Sequence, residues 1–207
     1  MKKIILISIF CWLSSLNLFS QSLIDKRIYS GNLSLSLNHD TYKYKFSSPY
    51  SATNTNVSIS FLAGKIRKNN SYVAYGFVLG GHSLNQVTSF SQQISLGPAV
   101  QVGKFIKIFD QFYFAPKSNF TLAGVIGKTE SSEILNNKGI NTSIDFSPLS
   151  FVYQIKDKIM LNMSLGQFAL NYTYLNSSND FFSQNSHSLD INGNLSNYTS
   201  LGMFYLF

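Results

Sequence analysis

The sequence predicts an all-β chain folded as an eight-stranded antiparallel transmembrane up-and-down β-barrel. Three observations lead there. Apolar and polar residues alternate at period two almost throughout residues 21–207, and no segment carries a helical period. In that register no charged residue falls on an apolar face in the central part of a strand, whereas Lys117, Asp145 and Asp190 fall on the opposite face. The connections also alternate, long and rich in Asn, Ser and Thr, then short, as in barrels with turns on one side of a membrane and loops on the other.

The first strand is expected from about Tyr29 to Asn38, with Leu33, Leu35 and Leu37 on one face and Ser34 and Ser36 on the other. The second, Asn56 to Gly64, turns Val57, Ile59 and Phe61 outward, and the third, Tyr72 to Gly81, turns out Tyr75, Phe77 and Leu79. In the fourth, Gln92 to Phe105, Ile94 and Leu96 oppose Ser95 and Gly97, and Pro98 marks a bulge or irregular pairing because it has no N–H to donate. The fifth, Phe112 to Gly127, and the sixth, Ile140 to Ile155, are less regular, Pro148 blurring the register of the latter. In the seventh, beginning at Ile159, the alternation changes parity near Gly166, a bulge site; the eighth runs from about Ser188 to Phe207.

Alternation alone also describes a secreted β-sandwich, whose strands have one apolar and one polar face. Charge placement separates the two readings, because a Lys or Arg at a lipid-facing midplane costs about 2–4 kcal/mol. Aromatic residues make up 15% of the chain and charged residues only 12%, so large apolar side chains need a medium to face. Lys65, Arg67, Lys68, Lys104, Lys107, Lys156 and Lys158 gather at or beside the expected short turns, a placement favourable near acidic headgroups and equally natural for any solvated turn.

Lys2 and Lys3 precede an apolar run from Ile4 to Leu18, which reads as a secretory signal peptide over residues 1–20, cleaved after Ser20 or Ser22, ahead of a barrel domain over 21–207. Cys11 is a poor lipidation site, since bulky Phe10 precedes it. No other cysteine follows, so disulfides and thiolate metal sites are not expected. No later stretch approaches the ~18 apolar residues of a spanning helix; the run from Leu149 to Leu165 is broken by Lys156, Asp157 and Lys158.

The last residues, Ser200-Leu201-Gly202-Met203-Phe204-Tyr205-Leu206-Phe207, place Leu201, Met203, Tyr205 and Phe207 on one side of a strand. This segment resembles the recognition strand by which Gram-negative outer-membrane proteins are handed to the barrel-assembly machinery, with Ser200, Gly202, Tyr205 and Phe207 at the motif positions. Together with the leader, strand count and connection lengths, it makes the chain similar to small outer-membrane barrels of the OmpA and OmpX type, as found in the Bacteroidetes outer-membrane β-barrel family. The resemblance implies integral outer-membrane localisation, contact with outer-membrane lipids and lipopolysaccharide, passage through the assembly machinery, and structural, adhesive or surface-interaction roles without shared chemistry.

No enzyme, cofactor or metal site is expected. The net charge is +7, two of the positive charges belonging to the leader, and no recognition helix or stacking motif accompanies the basic residues, so nucleic acid is not an expected partner. The three histidines share no metal-ligand spacing. An alternative is a lipid A acyltransferase or deacylase-like barrel, in which closure would bring His39 and Asp40 near Ser188. Another is an accessory factor in envelope protein secretion or assembly.

The interior of an eight-stranded barrel is just wide enough for side chains to fill, so a plug of small, hydrogen-bonded residues is expected, with Lys117 and Asp145 as an interior ion pair. Gly80-Gly81 reads as strand-end flexibility. Two loops, His39 to Thr55 and Leu175 to Ser186, display Tyr42, Tyr44, Phe46, Tyr50, Phe181 and Phe182 among polar residues and are candidates for an extracellular ligand or for packing over the barrel mouth.

Overall fold

The structure is a computed structural model, and it describes residue 23 and residues 25–42, 50–86, 89–131 and 134–207. The expected leader, residues 1–20, and Ser20 and Ser22, after which cleavage is expected, lie outside the described residues. The strands are β1 (Arg27–Tyr42), β2 (Tyr50–Ile66), β3 (Ser71–Gln86), β4 (Ser89–Lys104), β5 (Ile106–Phe109), β6 (Phe112–Phe114), β7 (Lys117–Glu130), β8 (Ile134–Ser147), β9 (Leu149–Lys156), β10 (Ile159–Ser178) and β11 (Ser183–Leu206). They form eight antiparallel passes: β5 prolongs β4, β6 leads into β7, and β9 prolongs β8. Hydrogen bonding runs β1-β2-β3-β4-β7-β8-β10-β11, and β11 pairs back onto β1 from Ile28↔Leu206 to Leu35↔Thr199, which closes an eight-stranded barrel.

Proline and glycine set the irregularities. The β7–β8 ladder ends at Lys117↔Ser147, and pairing resumes when Ala115 N donates to Ser150 O at 2.7 Å, followed by Phe114↔Phe151. Pro116 and Pro148 occupy the gap, where neither has an N–H to contribute, and one extra residue in the sixth pass reverses its parity. Ile144 and Phe146 therefore face outward before the break, and Leu149 and Tyr153 after it. Pro98 interrupts the β4–β7 ladder between Leu96↔Gly124 and Ala99↔Thr121 without shifting it. Gly166 is the bulge the sequence indicates: its φ is 76°, a conformation that suits glycine, and the β10–β11 register jumps there from Leu165↔Thr199 to Gln167↔Asn194.

The passes are longer than the sequence indicates. A tilted strand crosses a bilayer with about 9–11 residues, yet β10 has 20 and β11 has 24. Much of both expected loops is strand: β1 and β2 pair as far as Tyr42↔Tyr50, and β10 and β11 as far as Ser178↔Ser183. Tyr44 and Phe46 lie outside the described residues. Gly80 and Gly81 sit within β3, opposite Ser58 and Val57, so the strand-end reading is corrected. Polar sequence looked like loop because, once a strand rises clear of an apolar medium, neither face needs to be apolar.

The outer surface is an apolar belt: Phe61, Phe77, Ile126 and Leu201 are 69%, 65%, 62% and 59% exposed. Near the end that carries Arg27 and Phe207, here called basal, Tyr29 stacks on Phe207 with centroids 4.7 Å apart, and Phe112 stacks on both Phe109 and Phe151. Residues 67–70, 110–111 and 157–158 connect the passes at this end, beside the basic cluster. The opposite end is called distal.

Candidate functional site

The barrel interior is layered. At the basal end Tyr72 of β3, Phe204 and Leu206 of β11, Phe105 after β4, Tyr113 of β6 and Met160 of β10 form a buried apolar floor with Ile28, Ile66 and Val152. Tyr72 stacks on Phe105 at 4.9 Å, and Phe204 meets Phe105 edge-on at 5.4 Å. An interior filled only by small polar residues is thus corrected at this end: bulky rings on inward positions fill the cross-section that serines would leave open. The signal was present in Tyr72, Phe105 and Phe204, which break the small-residue pattern of the inner face.

Above the floor lies a hydrogen-bonded layer organised by Asn32 of β1. Its Oδ1 accepts from Lys117 Nζ at 3.4 Å and from Asn162 Nδ2 at 3.2 Å, and its Nδ2 donates to Ser30 Oγ at 2.9 Å. Ser150 Oγ donates to Asn162 Oδ1, Ser164 Oγ to Ser150 Oγ, and Gln101 Nε2 to Asn119 Oδ1 at 2.8 Å. The Tyr72 hydroxyl donates to Gln101 Oε1 at 3.3 Å and ties floor to layer. Inward Asn, Gln and Ser from different passes meet because the narrow barrel brings their side chains within reach, which relieves the cost of burying them unpaired.

A cavity of about 880 Å³ opens above this layer, lined by Ser58, Ser60, Ser95, Asn119, Thr121 and Asn141 among others, with Lys117, Asp145, His82 and Asp190 as its titratable side chains. Lys117 and Asp145 both reach it from adjacent strands, where Lys117 pairs with Ser147 and Asn119 with Asp145. They do not form an ion pair with each other. Asp145 accepts instead from Ser143 Oγ at 3.2 Å and Gln167 Nε2 at 2.5 Å, while Lys117 turns to Asn32. The ladder sets them diagonally, and neutral partners lie nearer to each.

The histidines are dispersed. His82 Nδ1 bonds Asn56 Oδ1 at 2.7 Å inside the barrel, whereas His187 Nδ1 bonds the Tyr172 hydroxyl at 2.9 Å on the exposed β10–β11 hairpin. Ser188 pairs with Thr173, and the β1–β11 ladder stops at Leu35↔Thr199, so strand pairing does not carry His39 and Asp40 to Ser188. The side chain of His39 lies outside the described residues.

Beyond Leu35↔Thr199, β11 pairs only with β10 among the described residues. Residues 183–193 are exposed on both faces, including Leu189 at 65% and Ile191 at 80%, and Phe181 at the hairpin tip is 97% exposed. This segment carries neither Lys nor Pro, the residues that ordinarily blunt a free sheet edge. Sequence alternation could not reveal it, because an edge is a property of the missing neighbour.

No protein-family model matches the chain, and no curated protein matches it. Among solved structures it is similar to the translocator domain of the autotransporter NalP from Neisseria meningitidis, at 7% identity and a TM-score of 0.46, covering 100% of this chain and 96% of that one. It is also similar to the outer-membrane protein OprG from Pseudomonas aeruginosa, at 10% identity and a TM-score of 0.46, covering 89% and 96%. Neisserial surface protein A matches at 9% identity and a TM-score of 0.37, covering 88% and 97%. The barrel assignment stands on the chain's own closed ladder.

Proposed function

We infer that the protein is an integral outer-membrane barrel without catalytic activity, whose distal β10–β11 hairpin serves surface interaction. The apolar belt supports the membrane reading: its exposed Phe, Leu and Ile side chains encircle a closed barrel, which leaves hydrocarbon as the medium that rewards them. Basal stacking of Tyr29 on Phe207 supplies the aromatic girdle expected at a membrane interface. Export by the leader over residues 1–20 and delivery by the assembly machinery through Ser200, Gly202, Tyr205 and Phe207 belong to the same reading. In the barrel Tyr205 and Phe207 face outward and Ser200 is buried, so the aromatic side of that strand is the one open to a folding factor.

The observation that carries the surface role is the β11 edge, which beyond Thr199 has no β1 partner among the described residues. An unpaired backbone edge is unfavourable in hydrocarbon, so residues 183–193 belong in water, where the edge and its exposed apolar side chains offer a docking strip for another protein. Outer-membrane fractionation combined with heat-dependent gel migration tests the location; recovery as a soluble monomer in plain buffer would overturn it. Cell-binding assays with Leu189→Lys and Ile191→Lys together test the role, and undiminished binding by the double variant would exclude the strip. Enzymatic action on lipid A predicts altered acyl patterns in mass spectra of cells making the protein, and unchanged patterns exclude it.

A further inference from the structure

We propose that the interior cavity is a binding cup for a small polar zwitterion of the amino-acid type, its carboxylate met by Lys117 and its ammonium by Asp145. This site lies inside the barrel and, although Asp190 of residues 183–193 also lines it, does not depend on the surface role.

Opposite charges held on one cavity wall without touching make up the first element. Lys117 is 4% exposed, and its ammonium, with three protons to donate, has one hydrogen-bond acceptor among the described residues, an Asn32 oxygen 3.4 Å away that Asn162 also uses. Asp145 holds two donors, Ser143 and Gln167, although a carboxylate accepts about four. Each group therefore keeps unspent capacity facing the same space. A buried charge without a counter-charge is unfavourable, and a ligand carrying both charges would relieve both at once through charge-assisted hydrogen bonds.

The surrounding wall sets the ligand's chemical class. Apart from the His82 imidazole and the Asp190 carboxylate, its other polar side chains are amides and hydroxyls, including Asn119, Thr121 and Asn141, which replace the hydration of a polar solute. Among the described residues the one ring on the cavity wall is the His82 imidazole, and no Phe, Tyr or Trp is there to stack on a flat base or aromatic acid. A volume of about 880 Å³ falls in the range of ligand pockets. Beneath, the apolar floor closes the basal end, which makes the space a cup rather than a conduit. Ser36 and Asp190 line it beside the stretch where β1 and β11 are not laddered, so a solute enters from the distal side.

Titration calorimetry on the detergent-solubilised barrel would use three matched probes: glutamine, glutaramate, which lacks its α-amine, and 4-aminobutyramide, which lacks its α-carboxylate. Glutamine should bind at least tenfold tighter than either. Lys117→Gln and the isosteric Asp145→Asn, each confirmed folded by heat-dependent migration, should each reduce its affinity by tenfold or more. Equal or absent binding of all three probes would overturn the proposal, as would glutamine binding that survives Asp145→Asn, the variant that preserves shape and so keeps the test decisive if Lys117→Gln does not fold.

Discussion

Phe204 of β11 and Tyr72 of β3 meet edge to face inside the barrel, centroids 5.8 Å apart and ring planes at 69°, although their strands are not neighbours in the sheet. The contact crosses the lumen, so these rings both hold the wall and close the basal end. Phe204→Ala should destabilise the barrel by about 3–5 kcal/mol and lower the temperature at which it shifts on a gel. Planar-bilayer recordings should show no steady ohmic conductance for the unaltered protein and new openings for Phe204→Ala.

Asn32 accepts from Lys117 and Asn162 at once. Replacing it by Leu strips the buried ammonium of its acceptor, and loss of one partner of a buried charge costs about 3–5 kcal/mol. Asn32→Leu should therefore unfold at markedly lower urea concentration in detergent. Combining it with Lys117→Met should recover much of the loss, because the orphaned charge goes too; simple additivity in the double variant would remove this account.

Gly166 adopts a φ of 76° at the β10 bulge. An added Cβ in that conformation costs about 1–2 kcal/mol, so Gly166→Ala should reduce stability by that order, and Gly166→Asn by less, since Asn tolerates left-handed backbone. Equal stabilities in a denaturant series would show that the bulge does not depend on this conformation.

Phe61 is 69% exposed on the belt, while neighbouring Ser60 lines the cavity. Phe61→Lys should weaken folding into lipid vesicles by about 2–4 kcal/mol if it lies near the midplane. Ser60→Lys, pointing into a hydrated interior, should fold nearly as well. The reverse order would contradict a lipid-facing belt.

Sequence reasoning reached the wall but not its filling. Alternation in Leu33, Leu35, Phe77 and Leu79 fixes which side faces out, since a period of two leaves no other choice, and Gly166 announced its bulge through the parity change it causes. Lys117 and Asp145 were legible as inward charges, yet their partners were not, because Asn32 lies 85 residues from Lys117 and nothing local links them. The strand extensions are not legible in the sequence, because Asn-rich polar segments have low β-propensity and it is pairing with a neighbour that carries them into the ladder.

The residues by themselves determined an all-β chain of eight passes with one apolar and one polar side, because side-chain direction is a local consequence of extended backbone. Only closure of the sheet decided the aromatic floor, the polar cup above it and the bare edge of β11. Those features depend on which strands face one another across the lumen and where a ladder stops, and both are set by register and bulges summed around the whole ring.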